Sequence, residues 1–160
     1  MSSPVSPAAL GRAVLVGGLL AGAGDLAFAL IYYGSQGAQA VRILQTIAAG
    51  LLGREAAYAG GIGAAVLGVA LHFVIALGAA AVFVLAARAW PALQRRTLLA
   101  GLVFGAGVWL VMNTVIVPLS ALPRGSFPPA GWLPVLGAHL VLVGLPIAWA
   151  ARRWLGGTRR

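Results

Sequence analysis

The amino-acid sequence predicts an all-α transmembrane fold, a four-helix membrane bundle forming a single domain over residues 1–160, and three observations carry that prediction. Hydrophobic residues make up 61% of the chain and charged residues 8%, where a soluble domain carries about 25% charged residues. Four apolar stretches reach the roughly 20 residues needed to cross the hydrocarbon core. All eleven basic residues are arginines, and they collect at the ends of those stretches, as residues that set membrane orientation do.

The first span is expected at about residues 11–33, closed by Gly34-Ser35-Gln36-Gly37. Ala21-Gly22-Ala23 resembles a signal-peptide cleavage site, but the apolar run continues to Tyr33, so an uncleaved span is expected. In the connection over 34–61, Val41, Leu44, Ala48, Leu51 and Leu52 recur near helical spacing, with Arg42, Gln45 and Thr46 between them. That pattern predicts a short amphipathic interfacial helix over 38–53, capping the bundle on its outer surface, with a gating lid as its other possible role. The second span is expected at about 62–87, followed by Arg88 to Arg96 with Pro91. The third, about 97–121, ends in Pro118-Leu119-Ser120-Ala121-Leu122-Pro123, where proline is easily accommodated. A loop Pro123-Arg124-Gly125-Ser126-Phe127-Pro128-Pro129 leads to the fourth span, about 132–151, which Pro146 can kink and Arg152-Arg153 close.

Arg12, Arg88, Arg95, Arg96, Arg152, Arg153, Arg159 and Arg160 fall on one side, and Arg42, Arg54 and Arg124 on the other. Eight against three predicts cytoplasmic N- and C-termini. Trp90, Trp132 and Trp154 lie near span ends and read as interfacial belt residues. The net charge of +9 has Asp25 and Glu55 as its only acids. No nucleic-acid partner is expected, because the charge marks span ends and no groove-reading motif accompanies it. Without cysteine or lysine, the chain has no disulfide, thiolate metal site, cysteine nucleophile or Schiff-base chemistry. It also carries no Gly-x-Ser-x-Gly, phosphate loop or dinucleotide fingerprint.

Gly18-Leu19-Leu20-Ala21-Gly22-Ala23-Gly24 in the first span is echoed by Gly101-Leu102-Val103-Phe104-Gly105-Ala106-Gly107 in the third. Gly68-Val69-Ala70-Leu71-His72 compares with Val135-Leu136-Gly137-Ala138-His139, and the second and fourth spans both end in Ala-Ala-Arg-x-Trp. Two repeated helical hairpins account for this, both crossing from the same side, with chance similarity between Gly- and Ala-rich spans as the alternative. Gly18, Gly22, Gly101 and Gly105 form small-xxx-small pairs, expected to bring helix backbones together. Such faces also suit a second copy or another membrane protein as a partner, beside the lipid bilayer itself.

Asp25, His72, Asn113 and His139 supply one strongly polar side chain per span. A charge at midspan costs about 2.5–3.5 kcal/mol on insertion scales, so these are functional candidates. Counted along the helices, they share a level about 10–16 Å from the outer ends, at 1.5 Å per residue. They can satisfy one another as interhelical hydrogen bonds serving packing or assembly. Alternatively, Asp25 with a histidine can pass protons or bind a small polar or cationic solute in a hydrated cavity. The alternative class is a haem or divalent-metal site on His72 and His139, although no His-x-x-x-His or Glu-x-x-His spacing supports it. A quinone or lipid headgroup can also hydrogen-bond the same residues. No catalytic residue emerges, no cofactor is required, and a non-enzymatic membrane protein is the expected class.

Val41-Arg42-Ile43-Leu44-Gln45-Thr46-Ile47-Ala48-Ala49-Gly50-Leu51-Leu52-Gly53, His72-Phe73 and Pro118-Leu119-Ser120-Ala121-Leu122-Pro123 are the residues behind one family resemblance. Over about residues 14–123 the chain resembles a family of small, uncharacterised bacterial inner-membrane proteins with four predicted helices. The resemblance implies that topology and a bacterial host. It implies no reaction and assigns no site residue.

Overall fold

The computed structural model describes residues 6–123, 127 and 129–156, and among them the regular structure is entirely helical. Four helices are long and apolar enough to cross a membrane: α1 Pro7–Ser35, α4 Gly61–Ala89, α6 Thr97–Leu119 and α7 Trp132–Leu155. The chain is a multi-pass membrane protein whose spans face the lipid bilayer. Three short helices connect them, α2 Ala40–Leu52, α3 Arg54–Ala59 and α5 Pro91–Arg95. Arg124, Gly125, Ser126 and Pro128 of the loop after α6, and Arg159 and Arg160, lie outside the described residues.

Local chemistry sets several boundaries that hydropathy alone misses. α1 begins at Pro7 because the Ser6 hydroxyl accepts a hydrogen bond from the Ala9 N–H (3.2 Å) and proline occupies the first turn, where its missing N–H costs nothing. Gly53, at φ +79°, separates α2 from α3 with a backbone conformation that side-chain-bearing residues avoid. Both α6 and α7 widen into one π-helical turn, Met112–Ile116 and His139–Gly144, each ending two residues before a proline, Pro118 and Pro146. Proline cannot donate to the carbonyl four residues back and crowds it, and the wider turn relieves that crowding. Inside a membrane, polar side chains must find partners within the protein. Asn113 Nδ2 and Thr114 Oγ1 bond the Trp109 and Leu110 carbonyls at 2.8 Å each, and His139 Nδ1 meets the Val135 carbonyl at 2.9 Å.

Glycine sets the spacing between spans. A Cβ on Gly18 would stand 2.9 Å from the Leu77 Cα, and one on Gly22 would stand 2.8 Å from the Phe73 ring, so α1 lies tight against α4. On another side of α1, Gly17 abuts Ala150 and Ile147 of α7. α6 packs on α7 in the same way: a Cβ on Gly101 would lie 3.0 Å from the Gly144 carbonyl, and one on Gly105 would collide with the backbone of His139 and Leu140. The second glycine of each hairpin's first helix thus meets the second helix beside its histidine, Gly22 at His72-Phe73 and Gly105 at His139. The hairpins differ in that only the second contains intramembrane prolines.

α4 and α6, by contrast, make few close backbone contacts. Their Gly78 and Gly107 face open space. Near the arginine-rich end they are joined through the rings of Phe83 and Phe104, edge to face at 4.9 Å. Around that pair an alanine-rich core of Ala13, Ala80, Val84, Ala87, Ile147, Ala151 and Leu155 fills the bundle. A second small core, Ala48, Ala49, Ala57 and Ala64, lies under α2 and α3 at the opposite end.

Because alanine is favoured over glycine by about 1 kcal/mol in a helix interior, Gly107→Ala, into open space, is expected to hold or raise the unfolding temperature. Gly105→Ala is expected to lower it, since overpacking costs about 1–3 kcal/mol. Thermal unfolding in detergent, followed by tryptophan fluorescence, checks the opposite signs.

Candidate functional site

Between the two cores lies a cavity of about 290 Å³, partly open, at the gap between α4 and α6. All four spans line it: α1 with Ala21, Gly22 and Asp25, α4 from His72 to Ala79, α6 with Val108, Met112 and Ile116, and α7 with His139 and Val143. Its position follows from the glycine contacts, which close α1 on α4 and α6 on α7 but leave nothing to close α4 on α6.

α2 roofs the cavity at the end away from most arginines, with Thr46, Ile47 and Gly50 in its wall. Its residue range is close to that expected, and the face it docks on the bundle is the one with small residues and Gln45. Val41, Leu51 and Leu52 are exposed, while Ile43, Gln45, Ala48 and Ala49 are buried. Small size decides which face docks, because Gly68 of α4 lets the Leu44 carbonyl approach where any Cβ would clash. Gln45, only 3% exposed and the one buried polar side chain among the described residues, donates from Nε2 to the Gly61 carbonyl at 2.9 Å. The segment after α6 holds the other side. The Ala121 N–H donates to the Gly50 carbonyl at 2.9 Å, and Leu122 packs against the small alanine core under α2 and α3. Pro118 to Pro123 therefore does more than end a helix; it latches the roof.

Asp25, His72 and His139 line this one cavity, and Asn113 does not. Asn113 lies in the π-helical turn of α6 and bonds the Trp109 carbonyl of its own helix. His72 Nε2 lies 2.9 Å from the Gly22 carbonyl. Carbonyl oxygens only accept, so in the neutral ring Nε2 carries the proton and Nδ1 is left as an acceptor. His139 has the opposite arrangement. Its Nδ1 donates to the Val135 carbonyl at 2.9 Å and lies 3.7 Å from Asp25 Oδ1, leaving Nε2 with the lone pair. The Asp25 and His139 side chains are 20% and 14% exposed, so both contact the cavity without being sealed in protein. Of the interhelical bonds that these four residues can make among themselves, only the Asp25–His139 contact forms. His72 joins α4 to the backbone of α1.

Among the described residues, no group of three His, Asp or Glu side chains comes together so as to hold a metal ion. Trp109 is buried at 6% exposure, its Nε1 unpartnered, and it meets the rings of Phe127 and Trp132 at 5.8 Å each. Trp132 thus packs on a buried ring as well as lying near a span end. Trp90 is 67% exposed.

The chain matches no protein-family model, no curated protein and no solved structure. Its site therefore stands on the geometry of its own side chains.

Sequence reasoning did not single out Thr46, Gln45, Ser120, Gly68 or Gly144. Thr46 and Gln45 stand between apolar residues of an amphipathic pattern, where polar side chains are expected to face solvent. Gly144 could be found from its proximity to Pro146, since a wide turn there exposes backbone to a facing glycine.

Replacing Gln45 with leucine leaves the Gly61 carbonyl without that partner, a loss of about 1–3 kcal/mol. Gln45→Leu is expected to speed amide hydrogen exchange across Ala40–Leu52 on the order of tenfold while leaving α1 protected. Exchange mass spectrometry in detergent reads both.

Proposed function

We propose that this chain is a non-enzymatic, multi-pass protein of a bacterial inner membrane that binds or carries a small solute in its intramembrane cavity. The observation that carries this reading is convergence. Asp25, His72 and His139, from three different spans, line one cavity of about 290 Å³ instead of exhausting their hydrogen-bonding capacity on one another. Ionisable side chains inside a membrane are retained at an energetic cost and face cavities or partners. A purely structural layer would close on itself; here a nitrogen on each ring remains unused.

Orientation is part of the proposal. Arg12, Arg88, Arg95, Arg96, Arg152 and Arg153 mark one end and Arg42 and Arg54 the other, which supports cytoplasmic termini under the positive-inside rule. The cavity then lies in the outer half of the bundle, with α2 between it and the outer aqueous phase. The resemblance to small bacterial inner-membrane proteins supports the same location.

The absence of cysteine makes a single introduced thiol directly readable. Val108 lines the cavity, whereas Val103 on the same helix is 64% exposed on the bundle's outside. Val108→Cys is expected to react with a water-soluble maleimide on the order of tenfold faster than Val103→Cys, because only a hydrated thiol forms the reactive thiolate. Equal, slow labelling at both positions would mean a dry interior and would replace solute handling with packing or assembly.

A further inference from the structure

Every polar side chain lining the cavity is either acceptor-only or has its own proton committed to a backbone carbonyl. Thr46 Oγ1 donates to the Arg42 carbonyl at 2.8 Å and Ser120 Oγ to the Val117 carbonyl at 2.7 Å. His72 Nε2 donates to Gly22 and His139 Nδ1 to Val135. A carboxylate at Asp25 only accepts. Thr46 Oγ1 is also met by the Tyr58 hydroxyl at 3.2 Å and Ser120 Oγ by the Leu122 N–H at 3.2 Å, so the acceptors left to an occupant are chiefly the carboxylate oxygens, Nδ1 of His72 and Nε2 of His139. No arginine lines the cavity, and the chain has no lysine.

This inventory selects among ligand chemistries. A quinone carbonyl, a carboxylate or a phosphate would be buried against acceptors with no donor to meet it, at the full cost of desolvation. A donor-rich cation finds what it needs. We propose that the cavity takes a protonated primary amine on a compact apolar body, its ammonium group held by Asp25 and by the free nitrogens of His72 and His139. This identification rests on the cavity being a solute site. The rest of the wall is aliphatic, with Ile47, Ile75, Val108 and Ile116. The volume is close to twice the roughly 150 Å³ that accommodates one benzene ring, enough for a ring and a short aminoalkyl arm. The ammonium can belong to a free amine or to a lipid headgroup.

The test uses the full-length protein in phosphatidylcholine nanodiscs, whose headgroups carry no N–H donors. Binding of 2-phenylethylamine and of 3-phenylpropionate is measured by shifts in unfolding temperature. The amine is expected to stabilise saturably and the anion to have no effect. Asp25→Asn is expected to weaken the amine on the order of tenfold or more, and Val108→Phe, which fills the cavity without touching its charge, to abolish binding. Binding of the anion as tight as that of the amine, or amine binding unchanged in both variants, overturns the proposal. An amine that does not bind while Val108→Cys is labelled from water overturns the ligand class and leaves the solute site standing. Displacement of the amine by added phosphatidylethanolamine assigns the ammonium to a lipid headgroup, and no displacement assigns it to a free amine.

Discussion

Backbone contact at glycine is the constraint on which the rest of this structure depends. Between apolar helices in lipid, no hydrophobic effect favours association, and close approach of backbones takes its place. Gly18 and Gly22 bring α1 onto α4, Gly17 brings α1 onto α7, and Gly101 and Gly105 bring α6 onto α7. α4 and α6, which have no facing glycines, stay apart except at the Phe83–Phe104 contact. The cavity is the space those contacts leave.

A gap in a membrane bundle is tolerable only if its polar groups are satisfied and its ends are closed. Aromatic and alanine packing closes the arginine-rich end. At the other end α2 is held by Gln45 on one side and by the Ala121 to Gly50 bond on the other. Wide turns precede Pro118 and Pro146, and Asn113, Thr114 and His139 bond carbonyls of the preceding turn in their own helices. For His139 that bond fixes which nitrogen keeps its proton.

Much of this was legible in the sequence, for physical reasons. Four apolar runs of spanning length leave few alternatives in a bilayer, and an all-α membrane bundle follows. The glycine pairs could be picked out by spacing because a helix face repeats every three to four residues. That Asp25, His72 and His139 share a level could be counted along the spans. Asn113 could be counted to the same level, but counting along a span does not give the face, and its amide is turned onto the Trp109 carbonyl of its own helix. The docked face of α2 could not be read from periodicity: steric fit at Gly68 and one long-range hydrogen bond from Gln45 set it, while Leu51 and Leu52 face outward. Neither contact is local in sequence.

The central claim is that backbone carbonyls hold the two histidines in opposite tautomers and so leave the cavity lined with acceptors. Nitrogen-15 NMR of the histidine-labelled protein in lipid bilayers, at a pH where both rings are neutral, tests this most directly, and a His72→Gln variant assigns the two signals. The account predicts His72 protonated on Nε2 and His139 protonated on Nδ1. Two rings with the same tautomer would mean that at least one free nitrogen is not where the account requires it, and would contradict the acceptor-lined site.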